Sequence, residues 1–178
     1  MLTTLRARAL DVAQRYSGTS DRPLPGYLVL TAGYTAMTGV LLTAARRRAG
    51  ADVARLEWGD LALTAVSTYR LSRLLTKDAI SSPLRAPLTR FDGAGMPGEV
   101  NDQVAPHVEG RPVLHAVAEL ATCPFCTGQW VATTLVAGHV LAPGVTRLVT
   151  GILTATAGAE VLHYGHAALQ RLEPGHDD

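Results

Sequence analysis

Tyr27-Leu28-Val29-Leu30-Thr31-Ala32-Gly33-Tyr34-Thr35-Ala36-Met37-Thr38-Gly39-Val40-Leu41-Leu42-Thr43-Ala44-Ala45 is a run of nineteen residues without a charge. The hydrocarbon core of a bilayer is about 30 Å thick and takes roughly 20 helical residues to cross, so this run is long enough to span it. Pro23 and Pro25 precede it, and Arg46, Arg47 and Arg48 close it. A proline suits a helix start and an arginine cluster suits a membrane boundary, so the run is expected to be the first transmembrane helix.

Two further stretches have the same character. Leu120 to Pro143 is uncharged and interrupted in polarity only by Gln129 and His139, and Leu148 to Leu169 carries one internal acid, Glu160. Trp58 to Leu75 is ambiguous, because its apolar part is short and Arg70, Arg73 and Lys77 recur at helical spacing along one stripe. It is either a span whose long basic side chains reach back to the headgroups, or a helix lying partly in the interface.

The rest of the chain fits a membrane protein better than any other class. Apolar residues make up 47% of 178 and charged ones 17%, too apolar for a disordered chain. Sixteen basic residues against fifteen acidic ones give no basic excess, which argues against a nucleic-acid surface. Arg6, Arg8 and Arg15 interrupt the first sixteen residues, so these do not read as a secretory signal. Leu2, Leu5, Ala9, Val12 and Tyr16 fall instead on one face of a short basic amphipathic helix.

Orientation follows from the enrichment of Lys and Arg in cytoplasmic loops. With four spans and the N-terminus inside, eleven basic residues lie on the inner side and five on the outer, the five including Arg46, Arg47 and Arg48. The expected location is the cell membrane, with the N-terminus cytoplasmic.

Between Ala79 and Pro112, Pro83, Pro87, Pro97 and Pro106 and Gly93, Gly95, Gly98 and Gly110 exclude a long helix. The expectation is a long connecting loop, either a plain solvated linker or a cap folded over the nearby cysteines. Those cysteines form Cys123-Pro124-Phe125-Cys126 and are the chain's only two. Pro124 suits a first helical position, which makes Cys123 the capping residue and places both thiols near a positive helix end.

Three tasks are open to this pair: a structural turn, a redox dithiol, or half of a metal site. A thioredoxin-like arrangement needs a strand before the motif that this chain lacks. Structural zinc takes four ligands, and Cys123 and Cys126 would need help from Glu119 or His115, with zinc or iron as the metal. His115, Glu119 and Cys123 share a face only if one helix runs through Cys123, which Pro124 opposes. His163 and His166 lie near Glu160, either as a polar interior or at the interface. Gly151, Ala155 and Ala159, with Gly33, Ala36 and Gly39, would let helices approach closely in lipid, within one chain or in a homo-oligomer.

Several of these segments together resemble a known family. They are Trp58-Gly59-Asp60, Tyr69 to Asp78, Pro83-Leu84-Arg85-Ala86-Pro87 and Glu119 to Trp130. The combination resembles the bacterial membrane-protein family catalogued as domain of unknown function 1360, over most of residues 56 to 165. The resemblance implies a small multi-pass membrane protein with no established activity.

The expected fold is therefore all-α, an integral membrane bundle of three or four transmembrane helices. Residues 1–22 would form an amphipathic helix, 23–172 a membrane domain with the loop 79–112, and 173–178 a polar tail. The expected function is a non-enzymatic membrane component that contacts the lipid bilayer or a protein partner through Arg70, Arg73, Lys77 and Arg85, with no nucleic acid and no cofactor. The alternative is a thiol-disulfide oxidoreductase or metal-binding protein using Cys123 and Cys126.

Overall fold

Four long helices carry the architecture: α1 (Leu24–Ala49), α2 (Trp58–Thr76), α5 (Pro124–Leu141) and α6 (Pro143–Leu172). Between α2 and α5 lie the one-turn α3 (Ser82–Arg85), strands β1 (Thr89–Ala94) and β2 (Val100–Val104), and helix α4 (Pro112–Thr122). The structure is a computed structural model and describes residues 8, 11, 12, 15, 16, 22–50 and 56–172. Of the amphipathic segment, Val12 and Tyr16 are helical and exposed, while Leu2, Leu5, Ala9 and the tail 173–178 lie outside the described residues.

Contacts along the helices fix their directions. Gly33 lies beside Trp130, and Arg47 lines one furrow with Leu141, so α1 and α5 run parallel. Gly128 packs near Thr68 and Ser72, whereas His139 bonds Thr64, so α2 runs against α5. Asp60 meets Arg147 and Arg70 meets Glu160, so α2 and α6 are parallel. The start of α1, the end of α2, the start of α5 and the outer part of α6 therefore share one end of the bundle, and the intervening elements form a cap there.

Local sequence explains where the helices stop. α1 ends at Gly50, whose φ of 62° continues poorly as helix, after three arginines in its last turn. The uncharged stretch from Leu120 to Pro143 is not one helix. Residues 120–122 close α4, Cys123 turns extended at φ −104° and ψ 106°, and Pro124 begins α5. Proline lacks an N–H and disfavours helix in the residue before it, so the break falls where Pro124 puts it.

The all-helical expectation needs one correction. The fold is mostly helical, but the segment expected as a loop contains an antiparallel hairpin pairing Thr89 with Val104 and Ala94 with Val100, with a register slip between Phe91 and Gly93. An isolated two-stranded hairpin is marginal in water, so the cap must hold it. Ala105, Val108 and Ala118 form a buried apolar cluster with Leu88, Val104 and Leu114 packed against it, joining β2 to α4. The bridge between Asp78 and Glu99, with Val100 N–H donating to Lys77 O at 2.8 Å, ties β2 to the end of α2.

Interior composition differs between the two parts. Inside the cap the cluster is apolar, as burial from water requires. Along the four long helices, Thr64, Ser67, Ser72, Thr76, His139, Thr146 and Thr150 are buried together with Ala45, Val131, Leu135, Ala137 and Ala157, while Leu28, Val40, Leu148, Ile152 and Leu162 are exposed. Of these helices, α1 and α6 are long and apolar enough, by length and composition, to cross a membrane.

Candidate functional site

The basic stripe of α2 reaches the cap and meets carboxylates there. Arg70 Nη2 donates to Asp78 Oδ2 at 2.8 Å, and its Nε lies 2.7 Å from Glu160 Oε1, a contact of charges rather than an aligned hydrogen bond. Arg73 grips Glu99 with two bonds, Nε to Oε1 at 2.8 Å and Nη2 to Oε2 at 2.5 Å, and lies 5.7 Å from the centre of the Tyr69 ring. A planar guanidinium matches a carboxylate in this two-bond geometry, so Arg73 fixes the hairpin against α2 at the residue just before β2.

Arg85 goes deepest. Its side chain is 2% exposed, and it donates to Asp102 Oδ2 at 2.9 Å, Leu75 O at 3.0 Å and Ser81 Oγ at 2.5 Å. Ser81 in turn donates to the carbonyls of Leu74 and Asp78. One guanidinium thus satisfies the end of α2, the turn after it and β2. Lys77 is the loosest of the four, with Nζ 3.5 Å from Asn101 Oδ1.

Around these pairs lies a cleft of about 760 Å³. Tyr69, Arg70 and Arg73 form one wall, Met96 and Glu99 of the hairpin a second, and Glu160 with His163 the third. His166 stands apart, 3.2 Å from Gln170.

The cysteines flank this layer at the junction of α4 and α5. Both thiols are free, Cys123 half-buried and Cys126 exposed. Cys123 Sγ accepts the Cys126 N–H at 3.3 Å, and Thr127 Oγ1 donates to Leu120 O at 2.7 Å. Cys123 is therefore the N-cap of α5, in the place the proline dictates.

Glu119 belongs to a different connection. Its Oε2 accepts from Tyr27 at 2.5 Å, Arg22 lies 3.6 Å from Oε1, and His115 Nε2 lies 3.8 Å from the same oxygen. Hydrogen bonding of Arg22 itself to Tyr27, with the Glu119 charge behind it, raises the pKa of the Arg22 guanidinium above its ordinary value. Among the described residues no group of three His, Cys, Asp or Glu side chains is placed to hold a metal ion.

Sequence reasoning named the arginines and missed their partners as specific pairs. Asp78, Glu99, Asp102 and Glu160 stand 8, 26, 17 and 90 positions from the arginines they meet. Near equality of acids and bases was the only trace of this in the sequence.

The profile of the family described as Protein of unknown function (DUF1360) matches residues 63–166. The chain belongs to this family. The DUF1360 segment takes in most of α2, the whole cap, α4, α5 and α6 as far as His166, and it leaves α1 outside. Sporulation protein YjcA of Bacillus subtilis (strain 168) is 30% identical over 98 residues, covering 55% of this chain and 81% of that protein. No solved structure matches the chain.

Proposed function

We propose that this DUF1360 protein is a multi-pass integral membrane protein in which α1, α2, α5 and α6 cross the bilayer and hold the cap at its cytoplasmic face. It acts as a non-enzymatic component that engages a protein partner. The observation that carries this reading is that the long helices bury hydroxyl side chains beside Val131 and Leu135 and turn several large apolar ones outward. In water, helices bury leucine and valine and expose threonine and serine. Here Ser67 Oγ donates to Thr150 O at 2.9 Å, and Thr64 Oγ1 lies 3.0 Å from His139 Nε2, while Leu28, Val40 and Leu148 face outward at 72%, 69% and 66% exposure.

Lipid reverses the preference. An outward leucine is at no disadvantage there, and small polar side chains join helices by hydrogen bonds that have no competing water. The apolar cluster of the cap obeys the aqueous rule instead, which supports placing the cap outside the bilayer. Counted along the sequence with the cap between inner segments, eleven basic residues fall inside and five outside, which supports the cytoplasmic face.

Because Arg70, Arg73 and Arg85 are each engaged by a carboxylate, partner contact in this reading runs through Ile80, Leu84 and Phe91, which the cap exposes at 83%, 75% and 67%. Alkaline carbonate treatment of membranes from cells making the chain tests the reading. The protein is expected to stay in the pellet, and its release into the supernatant would overturn the proposal.

A further inference from the structure

We propose that the furrow between the second half of α1 and the end of α5 binds an anionic phospholipid, its acyl chain along the apolar floor and its phosphate on Arg47 and Arg48. The proposal rests on the membrane reading above. The furrow is open and shallow, about 900 Å³ in volume, and it is lined by Ala36, Gly39, Ala44 and Leu141 with Arg47 and Arg48.

The two helices meet around Trp130, on the side of the furrow nearer the cap. Trp130 fills the space beside Gly33, 3.8 Å from where a Cβ would stand, and its ring centre lies 5.3 Å from that of Tyr34. Two turns later no atom lies within 4 Å of a Cβ built on Gly39. Ala36 and Gly39 are exposed, so small side chains floor an open apolar furrow along α1 beside Leu141.

The charges at its mouth, like those of Arg46, Arg90, Arg111 and Arg171, are not held by carboxylates among the described residues. Arg70, Arg73, Arg85 and Arg147 all pair with carboxylates, whereas Arg47 and Arg48 are exposed and form no ion pair among the described residues. They also stand at the end of the bundle where the bias of basic residues disfavours them. Their position in the last turn of α1 is favourable toward the helix dipole, but that does not require an apolar channel beside them. A phosphodiester with a long acyl chain satisfies both halves of the site. A second copy of the chain in a two-fold arrangement would bring the same arginines toward each other and repel.

Purified protein in neutral detergent, titrated with phosphatidylglycerol or phosphatidylcholine and read by native mass spectrometry, tests this. The chain is expected to retain phosphatidylglycerol preferentially. Joint Arg47→Gln and Arg48→Gln should weaken that binding roughly tenfold or more and leave phosphatidylcholine unchanged. Gly39→Leu, which enters open space, should weaken both lipids, and Arg46→Gln should weaken neither. Undiminished phosphatidylglycerol binding in the double variant overturns the proposal. So does Gly39→Leu abolishing a dimer while lipid binding persists. Failure of the membrane reading appears separately, as release of the wild-type chain by carbonate.

Discussion

Arg85 and Cys123 represent the two kinds of work single residues do here. Arg85 is buried with Asp102, whose side chain is 7% exposed, so removing the cation strands a carboxylate inside the cap. Arg85→Ala is expected to cost about 3–5 kcal/mol, read as loss of the folded cap by limited proteolysis, and Arg85→Lys should not restore it because one ammonium cannot replace the fork. Cys123 acts as a helix cap through its sulfur. Cys123→Ser should therefore keep thermal stability near wild type, whereas Cys123→Ala should lose about 1 kcal/mol. A large loss from the serine variant would mean that the thiol does more than cap. The Cys123 turn was legible in the sequence because Pro124 imposes it locally. The partners of Arg70, Arg73 and Arg85 were not, since charge pairs between distant positions leave no periodic trace.

Among the elements, the hairpin was the least legible and is the most dependent on its neighbours. Its strands alternate weakly, since Arg90, Phe91 and Asp92 are all exposed, and the glycines around the turn read equally well as a loop. Gly98, at φ 83°, supplies a turn conformation that other residues adopt poorly. What makes this segment a hairpin is tertiary: the apolar cluster under β2 and the two-bond clasp of Arg73 on Glu99. Glu99→Gln is expected to accelerate amide exchange in residues 89–104 roughly tenfold or more while leaving α5 and α6 protected. The other long helices, by contrast, were readable from uncharged runs, and Trp58 to Leu75, read as a helix that either spans or lies in the interface, is the helix α2, Trp58–Thr76. The single stretch read from 120 to 143 is divided because the proline rule outweighs hydrophobic continuity.

At the scale of the whole molecule, the outward leucines and buried hydroxyls of the bundle and the apolar interior of the cap call for two solvents. Ile152, 56% exposed near the middle of α6, separates the alternatives. Ile152→Lys should cost about 2.5–3.5 kcal/mol if that surface faces lipid, and under about 0.5 kcal/mol if it faces water. Thermal melting of the detergent-solubilised variant and its yield in the membrane fraction would read this. The most direct test of the account labels the two ends of the bundle with a membrane-impermeant maleimide, after Cys123→Ser and Cys126→Ser remove the native thiols. Asp92→Cys is exposed on the cap, and Gly144→Cys stands in open space at the opposite end. The account predicts that in intact cells only the Gly144→Cys chain reacts, and that the Asp92→Cys chain reacts once the membrane is permeabilised. Reaction of both in intact cells, or of the Asp92→Cys chain alone, would contradict it.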